Sequence, residues 1–414
     1  MTATDAAASD AAYAGLLGAL FERRTEGVRF GLDRVRAALA AAGHPERAFR
    51  VVHVAGTNGK GSTAAMCEAI LRAAGVRTGL YTSPHLCRLT ERVRVAGAEV
   101  SRAALVPHLE AALAAAGPLT FFEAVTVAAF GLLAEARVEI AVVEVGLGGR
   151  LDATNVVDAP LASVVTSIGL DHQAMLGDSL EAIAREKVAI CKPGAPAILA
   201  AAEPAILSLL AEEARARGAG PVLRLGHELA PLPGPLSLAG EHQRRNAALA
   251  VAAASAALPG LAEAAIGSGL SAVRWPGRLE QLARGGQAYV LDLAHIAEGA
   301  RALAVALGGL PRPRVLVFGV AADKDADAML ALLRPAVDTV IFTRGRSDRL
   351  VDPARLAKDS PSRMCSSVRE ALSAASAPGG TVVVAGSCYL VGEVRAELLG
   401  EPEDPVAVGD PAAR

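Results

Sequence analysis

Residues 50–63 are RVVHVAGTNGKGST, an apolar run that leads into three closely spaced glycines. The valines are typical of a buried strand, and in residues 63–71 apolar side chains recur at helical spacing. A helix that begins beside a glycine loop points free N–H groups and a positive dipole end at an anion, and Lys60 adds a positive charge. The segment therefore predicts a strand, a polyphosphate-binding loop and a helix.

The loop departs from the common phosphate-loop pattern G-x-x-x-x-G-K-[ST]. Val54 occupies the first glycine position, and Gly61 separates Lys60 from Ser62. On these residues alone, an ordinary glycine-rich turn between a strand and a helix is the alternative.

Polar side chains lie at or just beyond the ends of three further predicted strands, at Ser83, Glu144 and His172. Open α/β sheets hold ligands at the carboxyl ends of their strands. A buried carboxylate without a partner is costly, so a cation is the simplest partner for Glu144, and Mg²⁺ prefers oxygen ligands. The alternatives are that Glu144 pairs with an Arg or Lys, that Ser83 opens a turn before Pro84, and that His172 is a packed residue.

The composition is that of a cytosolic enzyme. The 414 residues predict two or three domains, and the net charge of −2 argues against nonspecific binding to nucleic acid. Five cysteines without a C-x-x-C pair indicate neither a disulfide framework nor a zinc site. No apolar stretch is suited to span a bilayer, and the start lacks the positive charge of a secretory signal. We expect a cytoplasmic monomer that acts on small molecules, not on nucleic acid or membranes.

The pattern of strands and helices predicts an α/β fold of two domains. Residues 1–274 are expected to form a mostly parallel-sheet domain of the P-loop ATPase type, with a frayed start before about Ala12. The sequence WPGR at 275–278 marks the boundary. Residues 275–400 alternate strands with helices, which predicts a smaller, open, Rossmann-like sheet. Residues 401–414 are rich in Pro, Asp and Ala, and we expect them to be disordered.

The phosphate loop is one of several short blocks that occur in a fixed order in one protein family. Its Lys-Gly-Ser ending resembles the folate branch of the Mur-type ligases, the folylpolyglutamate synthases and dihydrofolate synthases. The other blocks are YTSPHL at 81–86, TERV at 90–93, FFE at 121–123, EVGLGGRLDATN at 144–155, LDH at 170–172, REK at 185–187, PGR at 276–278 and DKD at 323–325. Together these blocks span most of the chain, which makes a chance resemblance hard to credit.

The resemblance implies roles for four groups of residues. Those implied to bind ATP are Thr57, Asn58, Gly59, Lys60, Gly61, Ser62, Asn246, Arg278 and Asp292. Those implied to lie beside the pterin are Arg29, Phe30, Gly31, Thr120, Phe121, Phe122, Glu123, Leu151, Asp152 and Ala153. The implied ligands of two Mg²⁺ ions are Ser83, Glu144 and His172. The implied catalytic residues are Lys60, Lys187 and His295.

Several of these assignments have plain structural alternatives. In the family the lysine that matches Lys187 is carbamylated by CO₂, yet a charged run such as 185–187 is also typical of a solvated helix face. Asn246 suits a helix N-cap as well as an ATP contact. Residues 29–31 suit a loop between helices, and the two phenylalanines at 121–122 suit a core as well as stacking on a pteridine ring.

The segment 292–297 departs from the family pattern. Asp-x-Ala-His-Asn-Pro is Asp-Leu-Ala-His-Ile-Ala here, so Asp292 and His295 are kept while Ile296 replaces asparagine. Because an isoleucine side chain forms no hydrogen bond, we expect weaker nucleotide positioning or a changed cap on the next helix.

The resemblance implies an ATP-dependent ligase that works through an acyl phosphate. It would add L-glutamate to dihydropteroate, to the γ-carboxyl of a reduced folate such as tetrahydrofolate, or to both. One alternative is a Mur-type ligase for a non-folate acyl acceptor, although such ligases usually end the loop in Lys-Thr-Thr or Lys-Ser-Thr. The other alternative is a non-catalytic nucleotide-binding relative, which the loss of the family asparagine at Ile296 makes conceivable. Four retained residues argue against that alternative: Lys60, Glu144, Lys187 and Arg278.

Overall fold

The computed structural model describes residues 3–24, 31–115, 117–232, 236–357 and 363–404. Arg29 and Phe30 of the predicted pterin site and residues 405–414 of the predicted tail lie outside these ranges. The described residues form two α/β domains, each built on one sheet, so the predicted fold class is confirmed. No helix in these ranges is long and apolar enough to cross a membrane.

The first sheet has eight strands in the described residues. They are β1 (Arg50–Ala55), β2 (Thr78–Tyr81), β3 (Val93–Val95), β4 (Ala98–Glu99), β5 (Ile140–Glu144), β6 (Ala162–Val165), β7 (Ala197–Leu199) and β8 (Val222–Arg224). The order across the sheet is β4-β3-β2-β5-β1-β6-β7-β8, in which β3 and β4 form an antiparallel edge and the others are parallel. The segments that follow β1, β2, β5 and β6 therefore lie side by side, at the edge where such sheets bind ligands.

Helices cover both faces of this sheet. They are α1 (Ala3–Arg24), α2 (Asp33–Ala41), α3 (Lys60–Ala73), α4 (Arg102–Ala114), α5 (Phe121–Glu135), α6 (Gln173–Leu176), α7 (Leu180–Val188), α8 (Pro204–Ala216), α9 (Glu241–Ala257) and α10 (Glu263–Ala272), with 3₁₀ turns at Pro45–Arg47, Leu89–Arg92 and Ala153–Val156. Val51 packs under α1, α2, α4 and α5, whereas Val52 and Val54 pack under α3, α9 and α10. Burial on both faces explains why β1 is apolar along most of its length.

The first helix is longer than the sequence suggested. It begins at Ala3, so the predicted fraying before Ala12 is wrong. Alanine is the strongest helix former, and five of the first nine residues of this helix are alanines.

The second domain is built on a six-stranded sheet. Its strands are β9 (Glu280–Arg284), β10 (Gln287–Leu291), β11 (Arg314–Phe318), β12 (Thr339–Phe342), β13 (Arg363–Met364) and β14 (Thr381–Ala385), and its helices are α11 (Ala297–Leu307), α12 (Ala326–Leu333), α13 (Pro353–Ala357), α14 (Val368–Ala374) and α15 (Cys388–Leu399), with a 3₁₀ turn at Arg334–Ala336. The strand order is β13-β12-β11-β14-β10-β9, and only β9 runs antiparallel to its neighbour in the described sheet. Its parallel strands also end at the gap between the domains.

After α15 the chain returns to the first domain. Asp404 is 4% exposed, and its Oδ2 accepts hydrogen bonds from the Tyr13 hydroxyl at 2.8 Å and from the backbone N–H of Leu89 at 2.7 Å. Arg88 donates to Glu401 at 3.0 Å. The predicted disorder is therefore wrong for residues 401–404, because buried polar partners on the first domain fix them in place.

Candidate active site

A cleft of about 270 Å³ lies between the two domains, at the carboxyl ends of the first parallel strands. Most of the predicted site residues line it. They are Thr57, Asn58, Gly59, Lys60, Gly61, Ser83, Thr120, Phe122, Glu123, Glu144, Leu151, Asp152, Ala153, His172, Lys187, Arg278 and His295. The predicted residues that are described but do not line the cleft are Gly31, Ser62, Phe121, Asn246 and Asp292.

The glycine loop between β1 and α3 adopts conformations that side chains would strain. Gly56 and Gly59 have φ angles of 148° and 83°. A Cβ on Gly59 would lie 2.5 Å from Oδ1 of Asn246, so the loop packs directly on α9. Asn246 is buried inside α9, whose N-cap is Gly240, so the N-cap alternative for Asn246 is wrong.

Hydrogen bonds from the segment after β6 hold the loop in shape. The backbone N–H of Asn58 donates to Ser167 Oγ at 2.8 Å, and Thr166 Oγ1 donates to the carbonyl of Asn58 at 2.6 Å. Thr57 Oγ1 donates to the carbonyl of Gly169 at 3.2 Å. The loop is therefore fixed by its own domain before any ligand binds.

Two lysines flank the loop. Lys60 Nζ donates to the carbonyl of Thr57 at 3.1 Å, and Lys187 Nζ donates to the carbonyl of Gly56 at 3.0 Å. Lys187 is 5% exposed, so a solvated helix face is the wrong description of this residue. Burial lowers the pKa of Lys187 to about 7, and the positive charge of Lys60 acts in the same direction. Near neutral pH the Lys187 amine is thus partly uncharged.

Glu144, at the end of β5, faces the cleft beside Ser83. Its carboxylate is 4% exposed, and Oε2 accepts a hydrogen bond from the backbone N–H of Ser83 at 3.1 Å. Burial lowers the pKa of His172 to about 4, so its ring is neutral at pH 7 and can act as a metal ligand. No group of three His, Cys, Asp or Glu side chains that could cage a metal occurs in the described ranges. The carboxylate and the hydroxyl on this cleft suit Mg²⁺, which prefers oxygen ligands, keeps several waters and binds substrate phosphates, whereas imidazole is an unusual Mg²⁺ ligand.

The aromatic side of the cleft begins at the N-terminus of α5. The backbone N–H of Thr120 donates to Glu123 Oε2 at 2.7 Å, and Thr120 Oγ1 accepts from the N–H of Glu123 at 3.3 Å. This capping box orients both side chains. Arg34 also donates to Glu123, at 2.7 Å, which ties α2 to this wall.

The two phenylalanines at the start of α5 differ in environment. Phe122 faces the cleft and packs on Gly146, where a Cβ would lie 2.4 Å from its ring. Phe121, predicted to lie beside the pterin, is fully buried, with its ring 5.9 Å from that of Phe21 and 5.3 Å from the Arg92 guanidinium. Successive helical residues point about 100° apart, so only one of the pair can face the cleft.

The turn after β5 supplies the rest of this wall. Asp152 Oδ2 accepts from the N–H of Leu147 at 2.8 Å, and its Oδ1 accepts from the N–H of Thr154 at 3.0 Å. These bonds fix the glycine-rich turn and leave Leu151 and Ala153 beside the cleft.

The second domain contributes Arg278 and His295, with Asp292 behind them. Asp292 accepts from the N–H groups of Leu279 and Ala294, both at 2.9 Å. Burial raises the pKa of Asp292, and the nearby charge of Arg278 opposes that rise. The buried Nε of Arg278 has no hydrogen-bond partner among the described residues.

Ile296, which stands where the family has asparagine, is the N-cap of α11, and its side chain makes no cap hydrogen bond. In the first turn of α11, Glu298 accepts a hydrogen bond from Asn58 Nδ2 at 2.6 Å. The second domain therefore contacts the phosphate loop through Glu298. Whether nucleotide positioning is weaker than in the family stays a prediction.

Other residues that line the cleft have no role assigned from the sequence, and four of them form polar pairs: Asp171 with Lys324, and Arg349 with Tyr389. Lys324 Nζ lies 2.7 Å from Asp171 Oδ1, and His295 Nε2 lies 3.9 Å from Asp171 Oδ2. Burial would raise the pKa of Asp171, but two cations outweigh it and hold that pKa well below its usual range: His172, which is charged at the low pH where Asp171 titrates, and Lys324. Arg349 donates to the Tyr389 hydroxyl at 2.6 Å. Asp171 and Lys324 lie in the LDH and DKD blocks that carry the family resemblance. Arg349 lies in none of the blocks, so nothing in the sequence pointed to it.

Comparisons with known proteins agree with this geometry. The Mur ligase middle domain matches residues 54–228, and the Mur ligase glutamate ligase domain matches residues 277–388. The chain is 35% identical to the dihydrofolate synthase/folylpolyglutamate synthase of Bacillus subtilis, with 90% of this chain and 96% of that protein covered.

Two further matches extend this result. A probable bifunctional folylpolyglutamate synthase/dihydropteroate synthase of Haloferax volcanii is 36% identical over 91% of this chain, and the chain spans 49% of its length. A crystal structure of the bifunctional folylpolyglutamate synthase/dihydrofolate synthase of Yersinia pestis, complexed with AMPPNP and a Mn ion, superposes with a TM-score of 0.85 at 32% identity, covering 94% of this chain and 98% of that one. The chain belongs to the Mur ligase family, in the branch of the folylpolyglutamate synthases and dihydrofolate synthases.

Proposed function

We propose that this protein uses ATP to join the amine of L-glutamate to a carboxyl group of dihydropteroate, of a reduced folate such as tetrahydrofolate, or of both. The observation that carries the proposal is one cleft on which a preformed phosphate loop, an aromatic wall and a cationic second-domain wall converge. A non-folate acyl acceptor would leave the wall around Phe122 and Asp152 without a purpose. A non-catalytic protein would have no need of the neutral amine and imidazoles in the cleft.

In the first step the acceptor carboxylate attacks the γ-phosphorus of ATP. A new P–O bond forms, the bond to ADP breaks, and the carboxyl group becomes an acyl phosphate. The loop N–H groups of residues 57–62 and Lys60 bind the phosphates and stabilise the charge that moves onto the leaving oxygen. Arg278 would reach the phosphates from the second domain. Asn246 and Asp292 do not line the cleft, and their proposed contacts with the nucleotide rest on the family resemblance.

The residues that would hold Mg²⁺ are Ser83, Glu144 and His172. We propose two ions, since these donors are spread over three strand ends. When bound, such ions neutralise phosphate charge during transfer. The hydrogen bond from Ser83 N–H to Glu144 points the carboxylate into the cleft, and the lowered pKa of His172 keeps a ring lone pair available.

In the second step the uncharged amine of glutamate attacks the acyl carbon. The tetrahedral intermediate collapses as the bond from carbon to the phosphate oxygen breaks, the nitrogen loses a proton, and inorganic phosphate leaves. His295 is the proposed proton acceptor: burial lowers its pKa, and its Nδ1 contacts the carbonyl of Leu293 at 2.9 Å, which leaves Nε2 with a lone pair. Excluding water between the domains protects the acyl phosphate from hydrolysis.

Lys187 is proposed to carry a carbamate. An uncharged amine attacks CO₂, forms an N–C bond and releases a proton, which gives a carboxylate on the end of the side chain. Two features of the chain support this: Lys187 is buried beside the phosphate loop, and its pKa of about 7 leaves much of the amine free to react. The resulting negative charge would hold a metal or orient the glutamate amine.

The acceptor is proposed to lie against Thr120, Phe122, Glu123 and the turn 151–153, with Arg29, Phe30 and Gly31 closing the pterin site as the family resemblance implies. We place the domain division at 274/275, between α10 and β9. We propose that the protein works as a monomer.

The test measures ATP turnover with Mg²⁺ and L-glutamate, separately with dihydropteroate and with tetrahydrofolate, and follows the products by mass. Addition of one glutamate residue to either acceptor supports the proposal and identifies the activity. ATP binding without glutamate addition to either acceptor would reject it.

A further inference from the structure

A histidine stands in the middle of the buried strand β1. His53 is fully buried between Val52 and Val54, and it does not line the cleft. Burying an imidazole costs free energy that another valine at this position would not. Burial also lowers the pKa of His53 to about 3, so its ring is uncharged at neutral pH. What the ring can contribute is therefore a hydrogen bond and not a charge.

That hydrogen bond reaches the turn that follows β5. Side chains of β1 alternate between the two faces of the sheet, so His53 shares the face of Val51, which packs in the same apolar cluster as Ala153. On this face His53 Nε2 lies 2.8 Å from Oγ1 of Thr154, which is fully buried as well. The other ring nitrogen, Nδ1, is buried and has no hydrogen-bond partner among the described residues.

The direction of these hydrogen bonds follows from the carboxylate of Asp152. Its two oxygens accept from backbone N–H groups, Oδ1 from Thr154 at 3.0 Å and Oδ2 from Leu147 at 2.8 Å. Oδ1 also accepts from the Thr154 hydroxyl at 2.5 Å. Because the single hydroxyl proton of Thr154 is used on Asp152, Thr154 Oγ1 must accept from His53. The ring proton of His53 therefore lies on Nε2, and no buried ring N–H is left without an acceptor.

The three side chains form a continuous series of hydrogen bonds from His53 through Thr154 to Asp152, which we name the β1 series. Of its members, Asp152 lines the cleft, on the same side as Phe122. Its other end lies in β1, which runs in the middle of the sheet between β5 and β6. The β1 series thus ties the orientation of a cleft carboxylate to a fixed part of the core.

We propose that His53 is a positioning residue for the acceptor: through Thr154 it holds the Asp152 carboxylate at the angle at which that carboxylate accepts hydrogen bonds from the acceptor ring. The presence of that ring beside Asp152 rests on the proposed function. A pteridine ring such as that of dihydropteroate carries a ring N–H next to an amino group, and a carboxylate with a fixed orientation can accept from both at once. A carboxylate that turns about its bond loses this alignment, and hydrogen bonds weaken steeply with angle.

Two substitutions of similar size separate the hydrogen bond of His53 from its packing. His53→Leu fills the space but cannot donate, whereas His53→Gln places a donor nitrogen near the position of Nε2. Calorimetry on the full chain, with ADP and Mg²⁺ present, measures the affinity for dihydropteroate. We expect His53→Leu to lower this affinity by about three- to tenfold, as loss of one neutral hydrogen bond does, and His53→Gln to restore most of it. The affinity for ATP should stay the same in both variants.

A ligand without the amino group gives a readout that a purely structural role would not change. The 2-deamino analogue of dihydropteroate carries hydrogen in place of that group, so it offers Asp152 one donor fewer. The unmodified protein should prefer dihydropteroate to the analogue, and His53→Leu should narrow this preference by about the same three- to tenfold. A general weakening of the wall would lower the affinity for both ligands by equal factors.

Ser163 provides a matched control. It pairs with His53 in the register of β1 and β6, is fully buried, and donates to the carbonyl of Ile190 at 3.0 Å. Ser163→Ala therefore removes a buried hydrogen bond from the same part of the sheet without touching the β1 series. It should lower the unfolding free energy but leave the affinity for dihydropteroate and the preference over the analogue unchanged.

Thr154→Val tests whether His53 acts through the hydroxyl. This variant keeps the shape of the side chain and interrupts the β1 series, so it should weaken dihydropteroate binding, and adding His53→Leu to it should cause no further loss. Additive losses in the double variant would overturn the proposal, as would equal affinities in His53→Leu and His53→Gln. If His53→Leu fails to fold, Thr154→Val takes its place, and an unchanged affinity in that variant rejects the proposal.

The same titrations distinguish this proposal from the proposed function. No binding of dihydropteroate to the unmodified protein would reject dihydropteroate as the acceptor and the role of His53 together. Binding that His53→Leu leaves unchanged would reject the role of His53 alone. A lower kcat with an unchanged KM for the acceptor would likewise reject it, because a residue that positions the acceptor alters the binding of the acceptor.

Discussion

The two walls of the active-site cleft are built in different ways. On the first domain the phosphate loop is fixed by hydrogen bonds from residues 166–169 and by Lys187, all within one domain. On the second domain, Lys324, His295 and Glu298 reach across the gap to Asp171 and Asn58. The first wall thus keeps its shape whatever the second domain does, whereas contacts from the second wall exist only when the domains are close.

This difference divides the chemistry. A preorganised loop stabilises the charge of phosphoryl transfer without reorganising during the reaction. In the described ranges, the contacts across the gap are few and polar: one ion pair, Lys324–Asp171, with both side chains largely buried, and the hydrogen bond from Asn58 to Glu298. Closing and opening of the domains would make and break these contacts in each cycle. Changes to the first wall should therefore lower the rate of chemistry, whereas loss of the contacts that Lys324 and Glu298 make across the gap should alter closure.

The largest effect is expected from Lys60→Met. This change removes a charge from the fixed wall and leaves the loop backbone in place, so kcat should fall by about 10²–10³-fold, as it does when one donor to a transition state is lost. Steady-state turnover with saturating ATP measures it. A raised KM for ATP with kcat unchanged would show that Lys60 serves binding alone.

Lys187→Met should lower kcat by about 10²-fold through loss of the proposed carbamate. In the unmodified protein the amine must be uncharged to react with CO₂, so activity should rise with pH through the Lys187 pKa of about 7. Removing dissolved CO₂ should lower the activity, and bicarbonate should restore it. Activity that is indifferent to CO₂ would reject the carbamate while leaving the hydrogen bond to Gly56 as the role of Lys187.

Gly59→Ala tests how tightly the fixed wall is packed. Gly59 and Gly43 have φ angles of 83° and 80°, but a Cβ meets Asn246 at 2.5 Å in the first and nothing within 4 Å in the second. Both changes should cost about 1–2 kcal/mol of unfolding free energy for the left-handed backbone. Only Gly59→Ala should also weaken ATP binding, by roughly tenfold, because Asn246 or the loop must move. Equal ATP affinities in the two variants would contradict this packing argument.

Asp171→Asn should have the smallest effect on chemistry. It removes the charge that Lys324 and His295 reach across the gap, so we expect a severalfold rise in KM and a larger radius of gyration by X-ray scattering, with kcat little changed.

The ion pair between Asp171 and Lys324 also makes the stability of the protein depend on pH. The pKa of Asp171 is depressed in the folded protein, so its stabilisation is present above the unfolded value of about 4 and lost as the pH falls further. The unfolding free energy of Asp171→Asn should therefore fall less in acid than that of the unmodified protein. Acid unfolding of the two proteins measures this difference.

Much of the first domain could be predicted from the sequence. The strands that end at Tyr81 and Glu144 are apolar runs closed by polar residues, and parallel strands place such ends together. The loop at 56–62 is dictated by its glycines. In this domain the residues near each other in the sequence determine the local structure, and the parallel sheet brings those local structures together. The position of the cleft could therefore be predicted from the sequence.

Other features depend on contacts between distant parts of the chain. Nothing in the run at 121–122 says which phenylalanine is buried, since that depends on the angle at which α5 meets Phe21. The antiparallel strand β9 is exposed at most positions and shows no clear alternation. Pairs such as Asp171–Lys324 join residues that only the docking of two domains brings together.

The return of residues 401–404 to the first domain has a mechanical consequence. The second domain is joined to the first by the chain passage at 275–278 and, at the other end of its sequence, by the bonds of Asp404 to Tyr13 and Leu89 and of Arg88 to Glu401. Cys87, next to Arg88, also donates to the carbonyl of Gly392 in α15 at 3.4 Å. Both ends of the second domain are therefore tied to the first domain. A movement that bends the chain passage at 275–278 would also have to strain or break the contacts of residues 401–404.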